Sequence, residues 1–79
     1  MRILVVEDEP DLRRSLARSL ADAQFAVDES GDGEDALFRA LEVDYDAIVL
    51  DLMLPLKPGE AVLEGIRRAG RTTPVLLLT

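Results

Sequence analysis

Three short apolar runs punctuate the chain, and each ends on oxygen-bearing side chains. Ile3-Leu4-Val5-Val6 leads into Glu7-Asp8-Glu9, Ala47-Ile48-Val49-Leu50 into Asp51, and Val75-Leu76-Leu77-Leu78 into Thr79. Their length and β-branched content predict buried strands, and Pro55 prevents the third of the chain's strands from continuing as a regular central one. Phe25 to Ser30 contains a further strand, which Asp28 and Glu29 make polar enough for a sheet edge.

Between these runs the period lengthens to that of a helix. Leu12, Leu16, Leu20 and Ala23 fall within about 80° of arc while Arg14, Arg18 and Ala21 face away, which predicts an amphipathic helix docked on a sheet. Its start is marked by Glu7-Asp8-Glu9-Pro10-Asp11: acids suit the positive end of the helix dipole, and proline is tolerated in the first turn. A second helix presents Ala36, Leu37, Ala40 and Leu41 inward, with Phe38 off that stripe. A third presents Val62, Gly65, Ile66 and Ala69, carries Glu60, Glu64 and Arg68 outward for ion pairs, and stops at Gly70.

Strands apolar on both faces and separated by helices indicate a parallel sheet covered on both sides. All strand C-termini then point the same way, so Glu7, Asp8 and Asp51 gather at one edge. The loop Pro55-Leu56-Lys57-Pro58-Gly59 belongs to that edge, which is where ligands bind in open α/β sheets.

Composition narrows the chemistry. With no Cys and no His, the chain offers no thiolate, disulfide or imidazole, and works with carboxylates, hydroxyls and amines. Sixteen acidic against nine basic residues give a net charge of −7, which argues against nucleic-acid binding by this chain. The apolar run after Met1-Arg2 is too short for a signal peptide and nothing approaches a membrane span, so a cytoplasmic location is expected. Seventy-nine residues make one small domain, with no repeats or linkers.

Two or three carboxylates at adjacent strand tips cannot all stay ionised at close range without raised pKa values or a cation. Hard oxygen ligands facing solvent suit Mg²⁺, which takes one or two carboxylates and keeps several waters. A cation there would let one aspartate attack a phosphoryl group and form an aspartyl phosphate. The Thr79 hydroxyl, on a neighbouring strand tip, is placed to hydrogen-bond the transferred group. Singly, each residue also has a purely structural explanation: capping for Asp8 and Glu9, a turn for Asp51, strand propensity for Thr79.

Gly31-Asp32-Gly33-Glu34-Asp35-Ala36 fits the dinucleotide fingerprint G-x-G-x-x-A, but its three carboxylates would repel a pyrophosphate. The better reading makes Asp32 an N-cap, puts Glu34 and Asp35 on the dipole, and uses the glycines for a turn.

The segments Ile3 to Pro10, Asp46 to Pro55 with the later Gly59, and Thr73 to Thr79 resemble the receiver domain of two-component response regulators. The closest likeness is to receivers that precede winged-helix DNA-binding domains, and it covers the whole chain in order and with the expected spacing. The resemblance implies a flavodoxin-like, doubly wound parallel α/β sheet with strand order 2-1-3-4, the leading part of a 2-1-3-4-5 sheet. It implies that Asp51 is the phospho-acceptor, that Asp8, Asp51 and the Met53 backbone carbonyl ligate Mg²⁺, that Glu7 acts through water, that Thr79 is the switch hydroxyl, and that a sensor histidine kinase is the phosphoryl donor.

The sequence departs from that family at two places. Pro58 stands where an Asp is common before the loop glycine, a change expected to affect loop stiffness more than chemistry. The sequence given also holds no counterpart of helix 4, strand 5 or helix 5, nor of the lysine on strand 5, for which Lys57 is a candidate substitute. Residues 1–79 are therefore read as the N-terminal portion of a receiver, and an apolar fourth strand at the edge predicts a homo-oligomer, either swapped or paired through Val75 to Leu78. The alternative function is an interaction module that is not phosphorylated. A phosphohydrolase with an aspartate nucleophile ranks last, because Met53 occupies the position of its second acid.

Overall fold

The computed structural model describes residues 1–78, so Thr79 lies outside the described residues. Strands and helices alternate as β1 (Arg2–Val6), α1 (Pro10–Asp22), β2 (Ala26–Ser30), α2 (Gly33–Glu42), β3 (Ala47–Asp51), α3 (Gly59–Arg68) and β4 (Val75–Leu78). The four strands form one parallel sheet in the order β2-β1-β3-β4. This is the predicted order, with the polar strand β2 at one edge.

Alternation along the central strands divides the core into two layers. Leu4, Val6, Ile48 and Leu50 pack with Ala36 and Ala40 of α2, Val62 and Ile66 of α3, and Tyr45. Ile3 and Val5 point to the opposite face, where α1 lies against β1 and β2 with Ala17 buried. Strand β1, apolar on both faces, is covered on both.

The cover is less complete elsewhere. Leu76 is 63% exposed and Leu77 41%, so β4 is an apolar edge strand among the described residues. On α1, Leu12 is 47% exposed and Ala23 is exposed at the C-cap, although the periodicity places both inward. The small side chain of Ala17 takes the centre of the contact and turns the stripe toward Leu16 and Leu20, which are half-buried. Leu41 sits at the rim of its helix, and Phe38 is exposed as its off-stripe position predicts.

The helix ends follow their capping chemistry. Glu9 caps α1, accepting from the Leu12 and Asp11 backbone N–H groups at 2.7 and 3.3 Å, with Pro10 in the first turn. Asp32 caps α2 by accepting from the Asp35 N–H at 2.7 Å. Beyond α3, Gly70 adopts φ +83°, the left-handed conformation that ends a helix without cost only at glycine.

Beneath α2 the buried Tyr45 hydroxyl donates to the Asp28 carboxylate at 2.6 Å, and the Arg2 guanidinium completes the group from 3.0 Å. Burial and the bond to Asp28 push the Tyr45 phenol up to about 12, and the bond from Tyr45 lowers Asp28. The folded chain thus holds the phenolic proton beyond the point where the unfolded chain, near the ordinary 10, has lost it. Stability is complete below pH 10 and lost as pH rises toward 12, by about 2–3 kcal/mol at 1.4 kcal/mol per pKa unit. Tyr45→Phe is expected to cost about 1.5 kcal/mol at neutral pH and to remove that alkaline fall. Urea denaturation at pH 7 and pH 11 checks both; an unchanged alkaline slope in the variant contradicts the assignment.

Candidate functional site

Strand β1 ends at Val6, and the parallel ladder continues one step further through Glu7, whose N–H donates to the Ser30 carbonyl at 3.1 Å. Glu7 is thereby drawn into the sheet edge and is only 6% exposed. Asp8 follows in the open, just ahead of the cap of α1. Asp51 is the last residue of β3, half-buried, with its backbone in register with Leu78.

These three residues converge. One carboxylate oxygen from each of Glu7, Asp8 and Asp51 lies within 4.8 Å of the other two. The Met53 N–H donates to Asp51 Oδ1 at 3.1 Å, and the Glu9 N–H to Glu7 Oε1 at 3.3 Å. Burial, the neighbouring Asp51 carboxylate and the Asp8 charge push the Glu7 carboxyl above its usual range, against the lowering effect of the Glu9 N–H. The arrangement is a set of mutually repelling oxygens that no ion pair among the described residues neutralises. A hard divalent cation of the size of Mg²⁺ suits such a set, with one or two carboxylates bound directly and the others acting through water.

The structure brings together Glu7, Asp8 and Asp51, and it places the exposed Met53 two residues beyond Asp51. Thr79 lies outside the described residues. Lys57 is not drawn into the acidic group in any ion pair among the described residues; its carbonyl and Cβ lie against Gly33.

Two supports of the site have no clear signal in the sequence pattern. Arg13 donates from Nη1 to the Glu7 carbonyl at 3.0 Å and pairs with Glu29 at 3.3 Å, tying the acidic turn to β2. The other is Gly33, expected only to assist a turn, which instead forms the first residue of α2 and touches the β3–α3 loop.

The model of the response regulator receiver domain matches residues 3–79. This chain belongs to the response regulator receiver family. It is 49% identical over 79 residues to the transcriptional activator protein IrlR of Burkholderia pseudomallei and 48% identical to the transcriptional regulatory protein TcrA of Mycobacterium tuberculosis. The match takes in all of this chain but 34% and 31% of those proteins, so the receiver spans about a third of the curated relatives' length. Among solved structures, the receiver domain of a Pseudomonas aeruginosa PAO1 sensor histidine kinase, with a magnesium ion coordinated in its active-site cleft, superimposes with TM-score 0.94 at 34% identity. That match covers 99% of this chain and 66% of the other. Response regulator TrrA of Thermotoga maritima, in complex with Mg²⁺-BeF, gives TM-score 0.84 at 33% identity over 96% of this chain and 64% of its own.

The receiver fold explains why the acids stand where they do. The order 2-1-3-4 puts β1 beside β3, so the turn after Val6 and the tip at Asp51 are neighbours in space though 44 positions apart. The chain is thus a receiver of two-component signalling whose acidic edge is consistent with a Mg²⁺ site. Among the described residues, no helix is long and apolar enough to cross a membrane.

Proposed function

We propose that this receiver accepts a phosphoryl group on Asp51 from a sensor histidine kinase in a Mg²⁺-dependent step, and relays the signal by a change of conformation. The observation that carries the reading is the convergence of the Glu7, Asp8 and Asp51 oxygens within 4.8 Å, in a chain of the receiver family. Two structural neighbours, solved with magnesium and with Mg²⁺-BeF, support it.

Asp8, Asp51 and the Met53 carbonyl are the direct ligands in this reading, and Glu7 acts through water. When bound, the cation neutralises charge on nucleophile and substrate. An Asp51 carboxylate oxygen attacks phosphorus as the bond to the donor imidazole nitrogen breaks, and the electron pair leaves on that nitrogen, which takes up a proton. Thr79 is assigned the hydroxyl that hydrogen-bonds the transferred group. A cytoplasmic location and a DNA-binding output in a longer parent protein belong to the same proposal, the latter supported by the transcriptional regulators among the relatives.

A second reading, self-association through β4, is favoured by the exposure of Leu76 and Leu77 on an edge strand. One experiment addresses both: intact and native mass after incubation with a small-molecule acyl phosphate, with and without Mg²⁺. A single phosphoryl adduct that requires Mg²⁺ is expected, together with dimers in the native spectrum. No adduct under any condition overturns phospho-acceptance by this chain, and a lone monomer at all concentrations overturns the pairing.

A further inference from the structure

The loop from Leu52 to Pro58 carries the Met53 carbonyl assigned to the cation, and it is held at its base and at its middle. At the base Met53 donates to Asp51, and the Gly59 N–H donates to the Leu52 carbonyl at 3.0 Å. In the middle the Pro55 carbonyl accepts two N–H groups, from Lys57 at 2.8 Å and from Gly33 at 3.1 Å. Between them Leu56 sits at φ +68°, a conformation sparsely populated by residues other than glycine. Such a residue persists where its neighbours are fixed on both sides.

The contact with Gly33 is made to α2, an element that contributes none of the three clustered acids. Gly33 is buried at the first position of that helix, and its N–H is one of the four that an α-helix leaves without an internal partner. Asp32 satisfies the N–H of Asp35, while Pro55 satisfies that of Gly33. The backbones approach so closely that a Cβ at Gly33 would lie 1.8 Å from the Lys57 carbonyl oxygen, 2.7 Å from its carbon and 2.8 Å from the Lys57 Cβ. The first two are backbone atoms, which cannot swing aside as a side-chain tip does. Any side chain at this position displaces the loop or the helix.

We propose that Gly33 is a positioning residue for the phosphorylation site: the N-terminus of α2 is the seat on which the β3–α3 loop rests, and this seat sets where the Met53 carbonyl stands relative to Asp51. The inference rests on the reading of the acidic edge as a Mg²⁺ site. It also couples α2 to that site, because the bond from Gly33 to Pro55 joins the helix to the loop that carries the Met53 carbonyl.

The test is an NMR titration with MgCl₂ of the wild-type chain, Gly33→Ala and Gly65→Ala. Gly65 is a second glycine within a helix, where the nearest atoms to an added Cβ belong to the Leu37 side chain at 3.0 Å, so its variant perturbs a helix glycine without touching the loop. Gly33→Ala is expected to bind Mg²⁺ roughly tenfold more weakly, the scale on which groups behind a metal ligand act, and to shift the amides of Met53 to Lys57 before any metal is added. Gly65→Ala is expected to leave both unchanged. Affinity within twofold of wild type in a folded Gly33→Ala, with unshifted loop amides, overturns the proposal.

Should Gly33→Ala fail to fold, hydrogen exchange of the wild-type chain decides. The Gly33 amide is expected to be protected and to become more so with Mg²⁺; free exchange, or protection indifferent to Mg²⁺ in a chain that binds it, overturns the seat. A wild-type chain that binds no Mg²⁺ removes the metal reading instead, and the loop shifts in metal-free Gly33→Ala then judge the seat alone.

Discussion

Asp51→Asn is expected to abolish phosphoryl uptake and, in the absence of divalent cations, to make the chain more stable. Asparagine keeps the shape of the side chain and an oxygen able to accept the Met53 N–H, so the turn after β3 survives. It removes the proposed nucleophile, which neither of the other two clustered acids is placed to replace, because Glu7 is buried and Asp8 belongs to a different strand tip. The gain in stability has a separate origin. Glu7, Asp8 and Asp51 repel one another across less than 4.8 Å, and deleting one charge relieves the other two. The effect is on the order of 1 kcal/mol, which raises the unfolding midpoint of a domain this small by about 4–8 °C.

The metal reverses that order. Added Mg²⁺ stabilises whichever state binds it, by about 1.4 kcal/mol at ten times the dissociation constant. The wild type therefore gains on addition of Mg²⁺, while Asp51→Asn responds weakly or not at all. A pH series gives a third view. The folded chain holds the Glu7 proton more tightly than the unfolded chain, so metal-free stability rises as pH falls through the raised value toward the ordinary 4.5. That rise is expected to shrink in Asp51→Asn, since Asp51 contributes to the shift. Thermal unfolding of both proteins with EDTA and with Mg²⁺ checks the sign; a variant less stable than wild type in EDTA contradicts the account of the edge as unneutralised charge.

Much of this edge is legible in the sequence because strand ends are. An apolar run that stops at an acid places that acid at a sheet edge, and parallel strands put all such ends on the same side, so the pattern alone brings Glu7, Asp8 and Asp51 together. The caps Glu9 and Asp32 are equally local, fixed by the residues that follow them within one turn. What periodicity does not carry is rotation and support. Leu12 and Ala23 share a stripe with Leu16 and Leu20, yet the buried face of the helix centres on Ala17 and leaves them out. Arg13 and Gly33 act on segments 6 and 24 positions away, Glu7 and Lys57, through contacts that no local pattern encodes. The pattern at Gly33 predicts a turn residue; its requirement is space for another backbone.

The same requirement at Gly59 predicts a large loss of stability from a single added methyl group. Gly59 opens α3, is buried, and donates its N–H to the Leu52 carbonyl. A Cβ there would lie 2.3 Å from the Asp51 carbonyl oxygen and 2.7 Å from the Leu52 Cα, both in the backbone that carries the Asp51 side chain. Gly59→Ala is expected to cost about 3 kcal/mol, at the upper end of overpacking penalties because neither neighbour can rotate away. Against a total of roughly 4–12 kcal/mol for a chain of this length, that is a large share. Gly70→Ala is the comparison: open space surrounds that position, and only its φ of +83° opposes a side chain, so a cost of about 1 kcal/mol is expected. Urea denaturation of both variants measures the difference. Equal losses would mean that the crowding at Gly59 relaxes as easily as a dihedral, and that β3 and α3 are not held in fixed contact behind Asp51.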